Sequence, residues 1–286
     1  MIDRSTVFGI IGLGLLGGSY AKGLSENGYQ VIGIDLSANA AEYALKQGWC
    51  VKAGTDPSLL GECDIVISAL YPNSFIEWLK KYQDVLKSGA LLSDVTGIKR
   101  YVIKEISAFL RKDVEFIAAH PMAGREFKGI EYADSGRFKG ANYIVVPTQE
   151  NTSEAIETAE EIGRILGFSN IVKLSADRHD EMIGYLSQLT HVIAVSLMNA
   201  NDRTDLAQYS GDSFRDLTRI AFINEDLWPE LFVRNKDYLL EEIDAFVNEM
   251  ICFRNLIETE DYEGMKQRLK QSGVRRKAFT EAEKQR

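Results

Sequence analysis

Three histidines, His120, His179 and His191, are the only imidazoles in this 286-residue chain, and an imidazole titrates near neutrality. His120 lies in Ala119-His120-Pro121-Met122-Ala123-Gly124-Arg125-Glu126, just past the apolar run Glu115–Ala118. A histidine at the end of a strand is placed for general-base work on a ligand held at the strand ends. His191 is four residues after Ser187 and shares a helix face with it; a satisfied core histidine is its default role. His179, among Asp177, Arg178, Asp180 and Glu181, reads as a helix-start residue in a charged setting. Arg219 sits in the apolar stretch Phe214–Ala221 and needs an anionic partner. Either a ligand carboxylate or an internal pair with Asp216 or Asp212 would supply one.

A second constellation points to a dinucleotide. Gly12-Leu13-Gly14-Leu15-Leu16-Gly17 is a G-x-G-x-x-G that follows the strand-like run Val7–Ile11 and opens the helical segment Ser19–Asn27. Gly12 permits the tight turn, Gly14 lets a pyrophosphate approach the backbone, and Gly17 allows close helix–strand packing. The pyrophosphate then rests on the helix N-terminal N–H groups of the Gly14-Leu15-Leu16 stretch. Asp35 closes the next apolar run, 18 residues after Gly17, where an acid binds the ribose hydroxyls. Leu36-Ser37 follow it rather than an arginine, so NAD is expected over NADP. Ala69, Leu70 and Pro72, at the end of the Ile65–Ala69 run, are expected to face the cofactor.

These residues need a scaffold, and the first half of the chain supplies one. Short runs at Val7–Ile11, Val31–Ile34, Ile65–Ala69, Leu91–Val95, Glu115–Ala118 and Tyr143–Val146 predict strands. Helical spacing at Ala38–Gln47, Phe75–Leu86 and Ile98–Leu110 separates several of them, and Ser153–Leu166 with Asn170–Leu174 closes the region. Continuous apolar runs fit a parallel sheet buried on both faces. The fold class is α/β, a Rossmann-type dinucleotide-binding domain over residues 1–175, then an all-α domain over 176–286. In the second part Ile183, Leu186, Leu189, Ile193 and Leu197 form a helical stripe. From Pro229 to Glu263 no glycine or further proline intervenes, so one helix of thirty or so residues is expected, dimerising the chain or crossing its own domain. The tail Lys266–Arg286 is basic, a solvated terminal helix or an anion-binding arm.

Composition removes several classes of function. A 45% hydrophobic, 26% charged chain is ordinary for a globular protein and excludes wholesale disorder. A net charge of −9 argues against a nucleic-acid surface. Cys50, Cys63 and Cys252 are few, odd in number and not in metal-ligand spacing, so neither a disulfide framework nor a metal site is expected. A reducing cytosol is the expected location, with no membrane span and no signal peptide.

Taken together, these motifs resemble the prephenate dehydrogenase family of tyrosine biosynthesis. The resemblance runs through Gly12–Gly17, Asp94-Val95-Thr96-Gly97-Ile98-Lys99, His120–Gly124, Asp177-Arg178-His179-Asp180, Ser187-Gln188-Leu189-Thr190-His191 and Thr218-Arg219-Ile220-Ala221. It implies oxidative decarboxylation of prephenate by NAD, with His120 taking the proton of the ring hydroxyl. It also implies that Arg219 holds the ring carboxylate, that His191 and Glu126 line the substrate pocket, and that Lys99 and Thr96 lie near the substrate. Two positions depart from the pattern: Gly97 stands where a serine is frequent, and Gln188 where a histidine is frequent. Thr96 or a water would replace the missing hydroxyl. An appended regulatory domain, such as some relatives carry, is not expected at the length of 286 residues. Arogenate dehydrogenase, a 3-hydroxyacid dehydrogenase and an NAD-sensing protein without chemistry are the alternatives.

Overall fold

The computed structural model describes residues 2–124 and 127–284. Strand β1 (Val7–Ile11) feeds helix α1 (Leu15–Glu26), and β2 (Gln30–Ile34) feeds α2 (Ala38–Lys46). A three-residue edge strand, β3 (Lys52–Gly54), follows; Lys-Ala-Gly is too short and too weakly apolar to show as a run. Then come β4 (Ile65–Ser68), α3 (Pro72–Tyr82), β5 (Leu91–Asp94) and α4 (Arg100–Ser107). The series closes with β6 (Glu115–Pro121), β7 (Asn142–Val146), α5 (Ser153–Ile165) and β8 (Asn170–Lys173). One sheet holds them in the order β3-β2-β1-β4-β5-β6-β7-β8, parallel throughout except for the β6–β7 pair.

Both faces of the sheet are covered, which is why its strands read as continuous apolar runs. Tyr20, Ala21 and Leu24 of α1, Ala41 and Ala44 of α2 and Ala155, Ala159 and Ile162 of α5 fill one core. Phe75, Ile76 and Leu79 of α3 and Val102 and Ile106 of α4 fill the other. The strand order reverses between β1 and β4, and a crevice opens at such a switch point outside the strand ends.

Strands cease after β8. Helix α6 (Ala176–Ile183) runs through a π-helical segment, Gly184–Leu189, into α7 (Thr190–Asn199), followed by α8 (Asp212–Thr218) and α9 (Leu227–Arg234). The predicted stripe is only partly buried: Ile183 and Leu189 are inside, whereas Leu186 and Leu197 are exposed. The wider π turn shifts the face that points inward, so Gln188 and Ala194 are buried instead.

The single long helix expected from Pro229 is interrupted. Asn235 leaves helical geometry at φ −121° and ψ 24°, and α10 (Lys236–Glu258) starts only after it. The side chain of this fully buried asparagine explains the break. Its Nδ2 donates to the Asp180 carbonyl (2.9 Å) and to Gln188 Oε1 (2.8 Å), and its Oδ1 accepts from Arg100 (3.2 Å). Satisfying a buried amide outweighs continuing the helix.

Two compact units result, one ending at Asn235 and one beginning at Lys236. The second unit is the pair α10 and α11 (Tyr262–Lys284), joined through Glu260 at φ 52° and pinned by Arg268 to Glu249 (3.1 Å). The basic tail is thus helical through Lys284, with Lys266–Glu263 and Lys277–Glu281 pairs along its surface.

Candidate active site

At the β1 end, the glycine turn has the geometry that its spacing predicts. Gly12 has φ +87°, and its N–H donates to the Ile34 carbonyl at 2.8 Å. A Cβ on Gly17 would lie 1.8 Å from the Gly12 carbonyl oxygen, so only glycine lets α1 approach the turn. A Cβ on Gly14, by contrast, would meet nothing within 4 Å. That open space faces the first turn of α1, which no side chain caps, so its N–H groups remain for an anion. Asp35 follows β2 directly and is half-buried; its carboxylate accepts from the Leu13 N–H (2.7 Å) and the Ser37 N–H (2.8 Å), which fixes its direction. Lone pairs remain on both oxygens for hydroxyl donors.

His120 lies within β6 rather than past it, because the strand continues three residues beyond Ala118 by pairing with β7. The parallel ladder from β5 stops at Ile117, so the Ala119 peptide needs other partners. Asp94 Oδ1 accepts the Ala119 N–H (3.1 Å), and Lys99 Nζ donates to the Ala119 carbonyl (2.6 Å). Lys99 Nζ also donates to Asp94 Oδ2 (2.7 Å) and Thr96 Oγ1 (3.2 Å), with no exposed surface. Lys99 is therefore directly behind the cleft-lining Thr96 and not itself in the wall. Its three protons are spent on protein acceptors. Thr96 does line the cleft, but its hydroxyl bonds Asp94 and the Ile98 carbonyl and does not replace the absent serine.

His179 stands in the first turn of α6, as expected of a helix-start residue, but its side chain turns inward. It is fully buried, with Nε2 2.9 Å from His120 Nδ1 and Nδ1 2.7 Å from Asp180 Oδ1. The missed signal is its spacing of four from Ile183, which puts both on the inward face of α6. Burial first, then the neighbouring His179 and Lys99, push the His120 imidazole well below the usual histidine range. Burial likewise lowers His179, against the opposing pull of Asp180.

One cleft of about 470 Å³ joins these parts within the first unit. Gly14, Leu15 and Leu16 line it beside Ala69, Leu70 and Pro72; His120, His191 and Arg219 line it too. His191 anchors Nδ1 on the Ser187 carbonyl (2.8 Å) and packs its ring 3.8 Å from that of Trp228. Arg219 is exposed on a single 3₁₀ turn, Arg219–Ala221, while Asp212 pairs with Arg215. Gln188 donates to the Leu231 carbonyl (2.9 Å), so the departure from histidine there serves the helix packing. Glu126 lies outside the described residues. Tyr71, in the 69–72 loop expected to face the cofactor, also lines the cleft, as do Asn224 and Trp228, which carry no charge signal in the sequence; the Asn224 amide donates to the Tyr71 hydroxyl.

Comparison with known proteins agrees with this geometry. The family model for the nucleotide-binding domain of prephenate dehydrogenase matches residues 20–168, and that for its dimerization domain matches residues 175–271. Prephenate dehydrogenase of Bacillus subtilis is 27% identical over 266 residues, 90% of this chain and 71% of the relative. Cyclohexadienyl dehydrogenase of Zymomonas mobilis is 26% identical over 281 residues, 94% of each chain. The crystal structure of prephenate dehydrogenase from Aquifex aeolicus in complex with hydroxyphenyl propionate and NAD+ aligns with a TM-score of 0.87 at 26% identity. That alignment covers 96% of this chain and 98% of the other. With a nucleotide cradle, a half-buried imidazole and an arginine on one cleft, and both family domains matched in order, the chain belongs to the prephenate dehydrogenase family.

Proposed function

We propose that this protein is an NAD-dependent prephenate dehydrogenase, which oxidatively decarboxylates prephenate to 4-hydroxyphenylpyruvate in tyrosine biosynthesis. The observation that carries the proposal is a single cleft lined at once by the α1 N-terminus, His120 and Arg219. The cradle fits the cofactor: Gly14 leaves open space beside uncapped N–H groups, and Asp35 is fixed where ribose hydroxyls would donate. NAD+, when bound, accepts the hydride from the ring carbon that bears the hydroxyl. Gly12, Gly14 and Gly17 shape the pyrophosphate seat with Leu15 and Leu16, and Ala69, Leu70 and Pro72 form the adjoining wall. A carboxylate at Asp35 repels a 2′-phosphate, which favours NAD over NADP.

The chain's own residues handle the proton and the carboxylate. His120 accepts the hydroxyl proton at Nε2 as the carbonyl develops, and Arg219 orients the ring carboxylate. The C–C pair of that carboxylate flows into the ring as CO2 departs, and the ring becomes aromatic. His120 returns its proton to the phenolic oxygen, so the proton account closes. His191 and Glu126 complete the substrate wall in this proposal.

Residues 1–175 serve the nucleotide in this account, and residues 176–286 serve the substrate and dimerisation. The matched dimerization domain supports a homodimer, and three unpaired cysteines, two of them buried, fit a reducing cytosol. The Zymomonas relative bears the broader cyclohexadienyl name, which makes arogenate the second substrate to test. NADH formation is to be followed with prephenate, arogenate and simple 3-hydroxyacids. Turnover of prephenate above the others supports the proposal; turnover of 3-hydroxyacids alone, or of nothing, overturns it.

A further inference from the structure

We propose that His179 and Asp180 are a positioning pair that locks His120 with its ring proton on Nδ1 and presents Nε2 as the base. This depends on the proposed function only for what the base acts on. The hydrogen-bond chain itself is a property of the fold.

The assignment follows from counting donors. Asp180 is buried, and its Oδ1 accepts the Lys99 N–H (2.8 Å) while its Oδ2 accepts the Arg100 N–H (2.9 Å). The Arg100 guanidinium Nε lies 3.4 Å from the same Oδ2. Peptide N–H groups and a guanidinium can only donate, so Asp180 acts as an acceptor. The 2.7 Å contact with His179 Nδ1 must then be N–H···O. A neutral His179 has no second proton, so its Nε2 accepts. The proton that fills the 2.9 Å contact to His120 therefore sits on His120 Nδ1. The opposite arrangement, with both rings protonated on Nε2, would set a bare nitrogen against a carboxylate oxygen at 2.7 Å.

Nothing else among the described residues does this work. A Cβ at Gly97 would reach only within 3.9 Å of His120 Cε1, and the Thr96 hydroxyl is engaged by Asp94 and Ile98. His120 makes no second hydrogen bond to a described residue, so Nε2 is left for the cleft that the ring lines. Neither His179 nor Asp180 lines that cleft; they act through His120. A base whose tautomer is fixed in advance loses nothing to the unproductive form.

The test reads the ring nitrogens directly. In protein labelled with ¹⁵N-histidine, three residues give three sets of ring signals, assigned with His191→Asn and His179→Gln. At neutral pH the wild type is expected to show His120 protonated at Nδ1 and bare at Nε2. In Asp180→Asn the amide NH2 donates to His179 Nδ1, its proton moves to Nε2, and His120 is driven to the Nε2–H form. The kcat of this variant should fall by about 10²–10⁴-fold, with KM for prephenate within about twofold because the cleft wall is untouched. A wild-type His120 protonated at Nε2, or an Asp180→Asn variant with wild-type kcat, overturns the proposal. If the variant does not fold, the wild-type spectrum still decides. If the wild type makes no NADH from prephenate, the proposed function fails while the spectrum continues to decide the pairing.

Discussion

The His120 imidazole sits among groups that all disfavour its charged form: the surrounding burial, the second imidazole and the Lys99 ammonium held by Asp94. A base must be neutral to accept a proton, so a depressed pKa preserves activity as pH falls. The acid limb of kcat/KM is expected well below the usual imidazole value of 6.5, and a limb at 6.5 would contradict this placement. His120→Asn should lower kcat by about 10²–10⁴-fold, while Arg219→Gln should mainly raise KM. An unchanged KM would remove Arg219 from the carboxylate. Lys99→Met tests its place behind the site. It strands the Asp94 carboxylate in the core and should cost about 3–5 kcal/mol of stability, read by denaturant unfolding. The places of His120 near a strand end and of Asp35 after β2 were legible in the sequence, because local spacing defines them. The contacts of His179 with His120 and of Lys99 with the Ala119 carbonyl were not, because they span 59 and 20 residues.

At the scale of elements, the glycine turn and the helix break separate ligand binding from folding. Gly14→Ala has room on the protein side and ordinary backbone angles, φ −80° and ψ −156°. It should unfold at the wild-type temperature yet bind NAD more weakly, because its methyl occupies the pyrophosphate seat. Gly17→Ala must push the Gly12 carbonyl aside and should lower the unfolding temperature as well. Equal melting of the two variants would contradict this account of the turn. Asn235→Leu leaves Gln188 and the Asp180 carbonyl short of partners and should destabilise the protein by about 1–3 kcal/mol. Apart from the short edge strand β3, the strands and α1 to α5 were readable to within a few residues from apolar runs and helical spacing. The π segment and the break at Asn235 were not: a π turn departs from the helical period itself, and the break goes with buried hydrogen bonding that no periodicity records.

Across the whole molecule, the α/β class and the nucleotide-binding domain could be read from the order of elements around one fingerprint. The boundary between compact units could not, because α6 to α9 remain with the sheet through side-chain contacts of long sequence separation such as Asn73 to Glu230. On the second unit, Leu240, Val247, Met250, Ile251, Leu269 and Val274 are exposed, more apolar surface than a solvated helix pair presents comfortably. Sedimentation at micromolar concentration should give a dimer, and a monomer would contradict the proposed assembly. The net charge of −9 cannot attract the proposed dianionic substrate, so the proposal rests binding on local cations such as Arg219. The most direct test of the central claim uses prephenate labelled with ¹⁴C in the ring carboxylate, with released CO2 and NADH measured together. The two are predicted to appear one for one and to fall together by about 10²–10⁴-fold in His120→Asn; NADH without labelled CO2, or labelled CO2 without NADH, would contradict this.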